Sequence, residues 1–183
     1  MFTRYSIQAC IIAAAITIAP LPCAATVFHT RSDMLDIAFP RADSVQVRDH
    51  FLSAEQRASI ERLAIAALDS DLVTVYEAYA DGRILGFAIL DTHVVRTLPE
   101  TFLVVLSPEG AVTATHILAF HEPLEYMPST RWLALLENRT LHDDLRLGRD
   151  IAGITGSTLS SRAVLGGVRR ALAIYAVLLT EPD

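Results

Sequence analysis

Apolar residues at Ile60, Leu63, Ala64, Ala67 and Leu68 fall at the spacing of one helix face. Ser53, with Gln56 three residues on, is the start signal of that helix. Such a hydroxyl accepts from one orphan backbone N–H while the amide reaches back to another. From Leu72 the period shortens. Leu72 to Ala80 is rich in Val and Tyr, Asp81-Gly82 is a two-residue turn, and Arg83 to Leu90 returns. A second pair follows, Thr101 to Leu106 and Ala111 to Phe120, across Ser107-Pro108-Glu109-Gly110. Ser44 to Phe51 alternates weakly and is a further candidate strand. Asp33 to Phe39, ending at Pro40, reads as a lead-in. Pro128-Ser129-Thr130 opens a short helix through Trp132 and Leu136 that Asn138 ends, and Leu141 to Asp150 reads as a polar loop. Val164, Leu165, Val168, Leu172, Tyr175 and Leu179 then mark the buried face of a last helix reaching about Leu179. Together these elements predict one α+β domain, a twisted antiparallel sheet of two hairpins flanked by helices.

The N-terminal segment has a different pattern. Residues 1–25 carry Arg4, an apolar run from Ile7 to about Leu21, and then Cys23-Ala24-Ala25. This is the layout of a secretory signal, with small residues at the cleavage position. The run is short for a membrane span and is broken by Pro20 and Pro22. The layout predicts a signal peptide over 1–25, cut after Ala25, and a domain over 26–183. An uncleaved anchor and a lipid-bearing Cys23 are the alternatives, the second disfavoured by Pro22.

Composition narrows the chemistry. The formal net charge is −6 and all 15 basic residues are Arg. An acidic chain with scattered Arg argues against nucleic acid as a partner and against a polybasic membrane patch. Without Lys there is no Schiff-base chemistry. The only cysteines are Cys10 and Cys23, so the domain has no disulfide, no thiolates for an iron–sulfur cluster and no c-type haem motif. Electron transfer here would need an organic cofactor. The six His show no metal-ligand spacing: His116 and His121 are set to point to opposite faces of one strand, and His121 and Glu122 to diverge. No metal is expected. Ser157, Ser160 and Ser161 lack the Gly-x-Ser-x-Gly setting of a hydrolase nucleophile.

The most distinctive stretch is Gly153-Ile154-Thr155-Gly156-Ser157-Thr158-Leu159-Ser160-Ser161-Arg162, two glycines among five hydroxyl residues at the start of the last helix. Glycine lets backbone N–H groups approach a ligand, and a helix N-terminus seats an anion. Arg162 lies close enough to the turn to meet a phosphate. Residues 149–161 resemble the flavinylation motif of the FMN-binding domain family, which includes periplasmic subunits of the Rnf and sodium-pumping NADH:quinone reductase complexes. That pattern is Asp-x-(Ile/Val)-(Ser/Thr)-Gly-Ala-Thr, often followed by x-(Ser/Thr)-Ser. Thr155, Gly156 and Thr158 match it, while the family's Asp falls on Ala152 and its Ala on Ser157. Phe39-Pro40, the helix from Ser53, Gly86-Phe87-Ala88, Thr101-Phe102-Leu103-Val104, the Pro-Glu-Gly turn and Leu145 to Asp150 extend the resemblance over the whole domain.

The resemblance implies a periplasmic electron-transfer flavoprotein, more a component than a stand-alone enzyme. FMN would be attached to Thr158 through its phosphate by a flavin transferase using FAD, with non-covalent binding as the variant. The implied cofactor-binding set is Thr158 with Thr155, Gly156, Ser157, Leu159, Ser160, Ser161, Glu122 and Thr101. Tyr126, Met127 and Trp132 would cover one face of the ring. Membrane or periplasmic redox proteins would be the partners. The two departures support one alternative, a non-redox envelope protein that keeps the fold and has lost the flavin.

Overall fold

Helix starts in the N-terminal half are set by local side-chain caps. In the computed structural model, which describes residues 26–27, 30–95, 97–154 and 156–180, helix α1 spans Arg31–Ala38. Thr30 Oγ1 accepts from Asp33 N (3.2 Å), and the Asp33 carboxylate accepts from Thr30 N (3.2 Å). This helix occupies what the sequence reads as a lead-in, because Asp replaces the usual Glu or Gln of the box. Helix α2, Ala54–Ala64, carries the expected reciprocal bonds between Ser53 and Gln56. It ends earlier than its apolar stripe, at a left-handed Ile65 (φ 53°). Leu68 stays buried beyond that end, its N–H donating to the Glu61 carboxylate (3.0 Å). The predicted signal segment lies outside the described residues.

The strands are β1 Thr26–Val27, β2 Ser44–Phe51, β3 Leu72–Ala80, β4 Arg83–Val94, β5 Pro99–Leu106 and β6 Val112–Phe120. They form one antiparallel sheet in the order β1-β6-β5-β4-β3-β2. Strands β2 to β6 are a plain meander that contains both expected hairpins. Two strands outrun their sequence-based ends. β4 continues past Leu90 to Val94, and β5 begins at Pro99. The extension adds Asp91, Thr92 and His93 opposite Phe102, Thr101 and Glu100.

Both faces of the sheet are covered, which is why its central strands read as continuous apolar runs. One face packs Val75, Phe87, Ile89, Phe102 and Val104 against Ile60 of α2 and Val164, Val168 and Leu172 of α4, Thr158–Leu178. The other packs Tyr76, Ala78, Leu103 and Val105 against Met34 of α1 and Phe39. Gly167 is what lets α4 lie so low. A Cβ there would sit 2.2 Å from the Phe102 ring and 2.9 Å from Asp91 Cγ. At its far end α4 is tied to the β5–β6 turn by the Tyr175 hydroxyl, which donates to Pro108 O (2.7 Å). Helix α3, Thr130–Leu133, is capped by Ser129 and continues as a 3-10 turn over Ala134–Leu136, and Asn138 follows in the left-handed region (φ 62°). Among the described residues no helix is long and apolar enough to cross a membrane.

Candidate functional site

The hydroxyl-rich stretch is held from both ends. Upstream, Leu147 bridges Ile151, and the Asp150 carboxylate accepts from Arg146 N (3.2 Å). The Trp132 indole N–H donates to Ala152 O (2.6 Å). Downstream, a tight turn closes with Ser157 N–H on Ile154 O (3.1 Å), and Gly156 at its third position has φ 86°. That conformation favours glycine, so the Gly in this place follows from the turn. Thr155 lies outside the described residues.

The hydroxyls then part company. Thr158 and Leu159 are exposed at the first turn of α4, whereas Ser157, Ser160 and Ser161 are buried. Helical spacing explains the division: Ser160 and Ser161 share the inward face with Val164, Leu165 and Val168. Ser157 occupies the cap position but makes no capping bond. Its Oγ instead donates to Glu125 O (3.3 Å), locking the 3-10 turn Leu124–Tyr126 against the start of α4. The N–H groups of the first turn, which a Ser cap would ordinarily occupy, keep no bond to that side chain.

The remaining expected residues are placed differently. Glu122 sits in the same connection, but its buried carboxylate accepts from Thr97 N (3.2 Å) and Leu98 N (3.3 Å). His121 Nδ1 meets Pro99 O (2.9 Å). The two neighbours therefore clamp one segment rather than diverging, because the chain leaves the sheet at Phe120 and strand alternation no longer applies. Thr101 alternates with Glu100 and Phe102, so it belongs to the sheet face away from α4, where its hydroxyl meets that of Thr92 (3.0 Å). Trp132 is 5% exposed and part of the core, so it positions the loop through its N–H and offers no open ring face. Met127 lines a separate cavity of about 410 Å³ with Met34 and Leu133. Trp132→Phe is expected to cost about 0.5–1.5 kcal/mol, the net worth of one hydrogen bond, since Ala152 is exposed and water can take the place of the indole donor. Trypsin-independent nicking within 150–157 should rise with it, and limited proteolysis by a broad-specificity protease measures this. Unchanged stability and cleavage would mean the indole bond holds nothing.

A second constellation was not foreseen. Strand β4 places Asp91 and His93 on one face, β5 adds Glu100, and α4 adds Arg170. Arg170 donates twice to Asp91, Nε to Oδ2 (2.7 Å) and Nη2 to Oδ1 (2.8 Å). His93 Nδ1 lies 2.7 Å from Asp91 Oδ1, and its ring meets Phe102 edge to face with centroids 5.3 Å apart. His93 Nε2 is 3.8 Å from Glu100 Oε2. Glu100 is fully buried, and neither carboxyl oxygen has a hydrogen-bond partner among the described residues. Burial, with the Asp91 charge adding, pushes the Glu100 carboxyl up to about 8. Burial also raises Asp91, but the bonds from His93 and Arg170 outweigh it and hold that carboxyl below its usual range. Arg170 is 15% exposed and paired. The sequence signal was the Asp-x-His alternation continuing an apolar strand, which period two puts on one face. The group borders a cavity of about 580 Å³ lined by Thr92, His93, Val94, Arg162, Gly166 and Arg170. Arg162 is one helical turn beyond Thr158, so the cavity and the hydroxyl-bearing turn share a side of α4.

No protein-family model matches the chain, and no curated protein sequence does. Among solved structures it is similar to the crystal structure of Shewanella oneidensis NqrC, at 14% identity and a TM-score of 0.50. The similarity covers 80% of this chain and 83% of that one. At that identity the finding concerns architecture: the two chains share a fold over most of their length.

Proposed function

We propose that this chain is an FMN-binding electron-transfer protein of the cell envelope, with FMN joined to Thr158 by a phosphoester bond. The observation that carries the reading is Thr158 itself. It is the exposed hydroxyl at the first residue of a 21-residue helix whose cap side chain is turned away. It stands in the stretch that resembles the flavinylation motif, on a fold shared with NqrC. In the attachment step Thr158 Oγ bonds to the FMN phosphorus of FAD, the pyrophosphate bond breaks, AMP leaves and the hydroxyl proton is lost.

The chain's own residues fit the phosphate. The first-turn N–H groups carry the positive end of the helix dipole. Arg162, exposed one turn on, adds a full charge. Gly156 shapes the turn, and Ser157 fixes it to the Glu125 carbonyl. Bound FMN would supply one- and two-electron transfer, for which residues 26–183 carry no cysteine to hold an iron–sulfur cluster or a c-type haem. Export by residues 1–25, cleaved or kept as an anchor, would place the domain in the periplasm. There a covalent tether prevents loss of the cofactor. A flavin transferase would mature the protein, and membrane or periplasmic redox proteins would exchange electrons with it.

The test is an intact mass with and without a co-expressed flavin transferase, beside Thr158→Val. Wild type is expected to gain one esterified FMN and the variant none, with the fold retained because the side chain is exposed. Covalent flavin persisting in the variant would reassign the acceptor. No flavin in wild type would favour the non-redox reading that the Ala152 and Ser157 departures support.

A further inference from the structure

Glu100 is a costly side chain to hold in the sheet. A carboxyl with no exposed surface and no bonded partner is unfavourable whether charged or neutral. Among the described residues the polar atom facing it is His93 Nε2 at 3.8 Å, itself buried and without a hydrogen bond there. The state of His93 follows from its other nitrogen. The Asp91 carboxylate, held ionised by Arg170, only accepts, so His93 Nδ1 carries a hydrogen and Nε2 is bare in the neutral ring. A protonated Glu100 is then the donor that Nε2 lacks. Arg170, Asp91, His93 and Glu100 form a file running from the cavity wall to the sealed interior. With one proton between Glu100 and His93 the whole file has zero net charge.

We propose that Glu100 and His93 share one proton at the floor of the cavity beside α4, and that it passes from Glu100 Oε2 to His93 Nε2 when negative charge enters that cavity. One O–H bond breaks, one N–H bond forms, and the charge of the file is unchanged. The transfer makes an imidazolium of the ring that lines the cavity and leaves a carboxylate at the sealed strand position. The ring lines the cavity and the carboxyl does not, so an entering anion attracts the imidazolium more than it repels the carboxylate left behind. Burial favours the neutral pair at rest, which sets the direction of the response. Among the described residues, the other charged groups packed around the pair are Asp69 after α2, Arg162 and Arg170 on α4, and Asp91 beside His93 on β4. His121 and Glu122 are turned to the 97–99 backbone. In its second half the inference rests on the flavin reading, with electrons arriving on a cofactor tethered one turn before Arg162. Its first half concerns the protein alone.

Infrared difference spectroscopy of the full chain separates the halves. In the flavin-free protein a protonated-carboxyl band should persist at pH 7, vanish as pH passes about 8 in wild type, and be missing from Glu100→Gln. The wild-type titration stands without the variant should Glu100→Gln fold poorly. A wild-type spectrum with no such band, or the band retained in Glu100→Gln, would overturn proton sharing. Arg162→Glu then places a fixed negative charge on the exposed cavity wall of the same flavin-free protein. The band should weaken at pH 7 while the ¹⁵N signal of protonated His93 grows. An unchanged band and ring signal would overturn the charge response, whatever the cofactor. In flavin-loaded protein, dithionite reduction should also remove the band, and His93→Gln should keep it. If no flavin loads, the function fails while the first two results still decide this proposal.

Discussion

Asp91→Ala is expected to destabilise the protein by about 3–5 kcal/mol at pH 7, the usual penalty for leaving a buried partner charge uncompensated. Asp91 accepts two bonds from Arg170 and one from His93, and its side chain is 11% exposed. Its loss strands a guanidinium under the sheet-facing side of α4. Gly167 has brought that helix down onto Phe102 and Asp91, leaving little room to rearrange. The control is Asp91→Ala with Arg170→Met. Removing both charges and restoring apolar volume should recover most of the loss, because the pair also bears its own desolvation. Urea unfolding of the two variants makes the comparison. A single-variant loss below about 1 kcal/mol would place the ion pair among weak surface bridges.

The second large effect is a stability that falls with rising pH. Glu100 has its folded value raised from 4.5 to about 8, so the native state binds its proton more tightly than the unfolded chain does. The contribution is complete below about 4.5, declines as pH rises toward 8, and is gone above it. Each tenfold change in proton affinity is worth about 1.4 kcal/mol, so the swing amounts to about 5 kcal/mol. Glu100→Gln keeps the shape and removes the titration, so its stability should vary much less between pH 5 and 9. Asp91 has the opposite sign: its folded value is lowered, so its contribution is present above its unfolded value and lost only in acid. Measurements from pH 5 to 9 therefore separate Glu100 from Asp91, and the variant separates it from the histidines. Parallel unfolding midpoints for wild type and variant across that range would show that the carboxyl is not held neutral.

Much of this architecture was written locally. The box at Ser53 and Gln56, the Asp81-Gly82 turn and the Ser129 cap are each made by residues within three positions of one another. Their physics is complete before the chain folds. The inward stripe of α4 is legible for the same reason, since 3.6-residue spacing alone puts Val164, Val168 and Leu172 on one side. Gly156 belongs here too, because its turn needs the left-handed conformation. The α1 helix at Thr30 was a missed local signal, its acidic N3 residue being Asp rather than Glu.

The site was only half legible. The sequence by itself determined the α+β class, the order of hairpins and helices, and a hydroxyl-rich turn with Thr158 at the head of the last helix. Helical spacing set Ser160 and Ser161 on the inward side of that helix, but tertiary structure alone decided that Ser157 spends its bond on Glu125 and that Thr101 lies on the far face. It alone turned Glu122 into a clamp on residues 97 and 98. It also joined Arg170 to Asp91 across 79 positions and sealed Glu100 beneath them. Periodicity tells which residues share a face of one element, but not which neighbour covers that face. Burial, ion pairing and raised carboxyl values all depend on that neighbour, and for Asp91, His93 and Glu100 it is a helix that folds back from the far end of the chain.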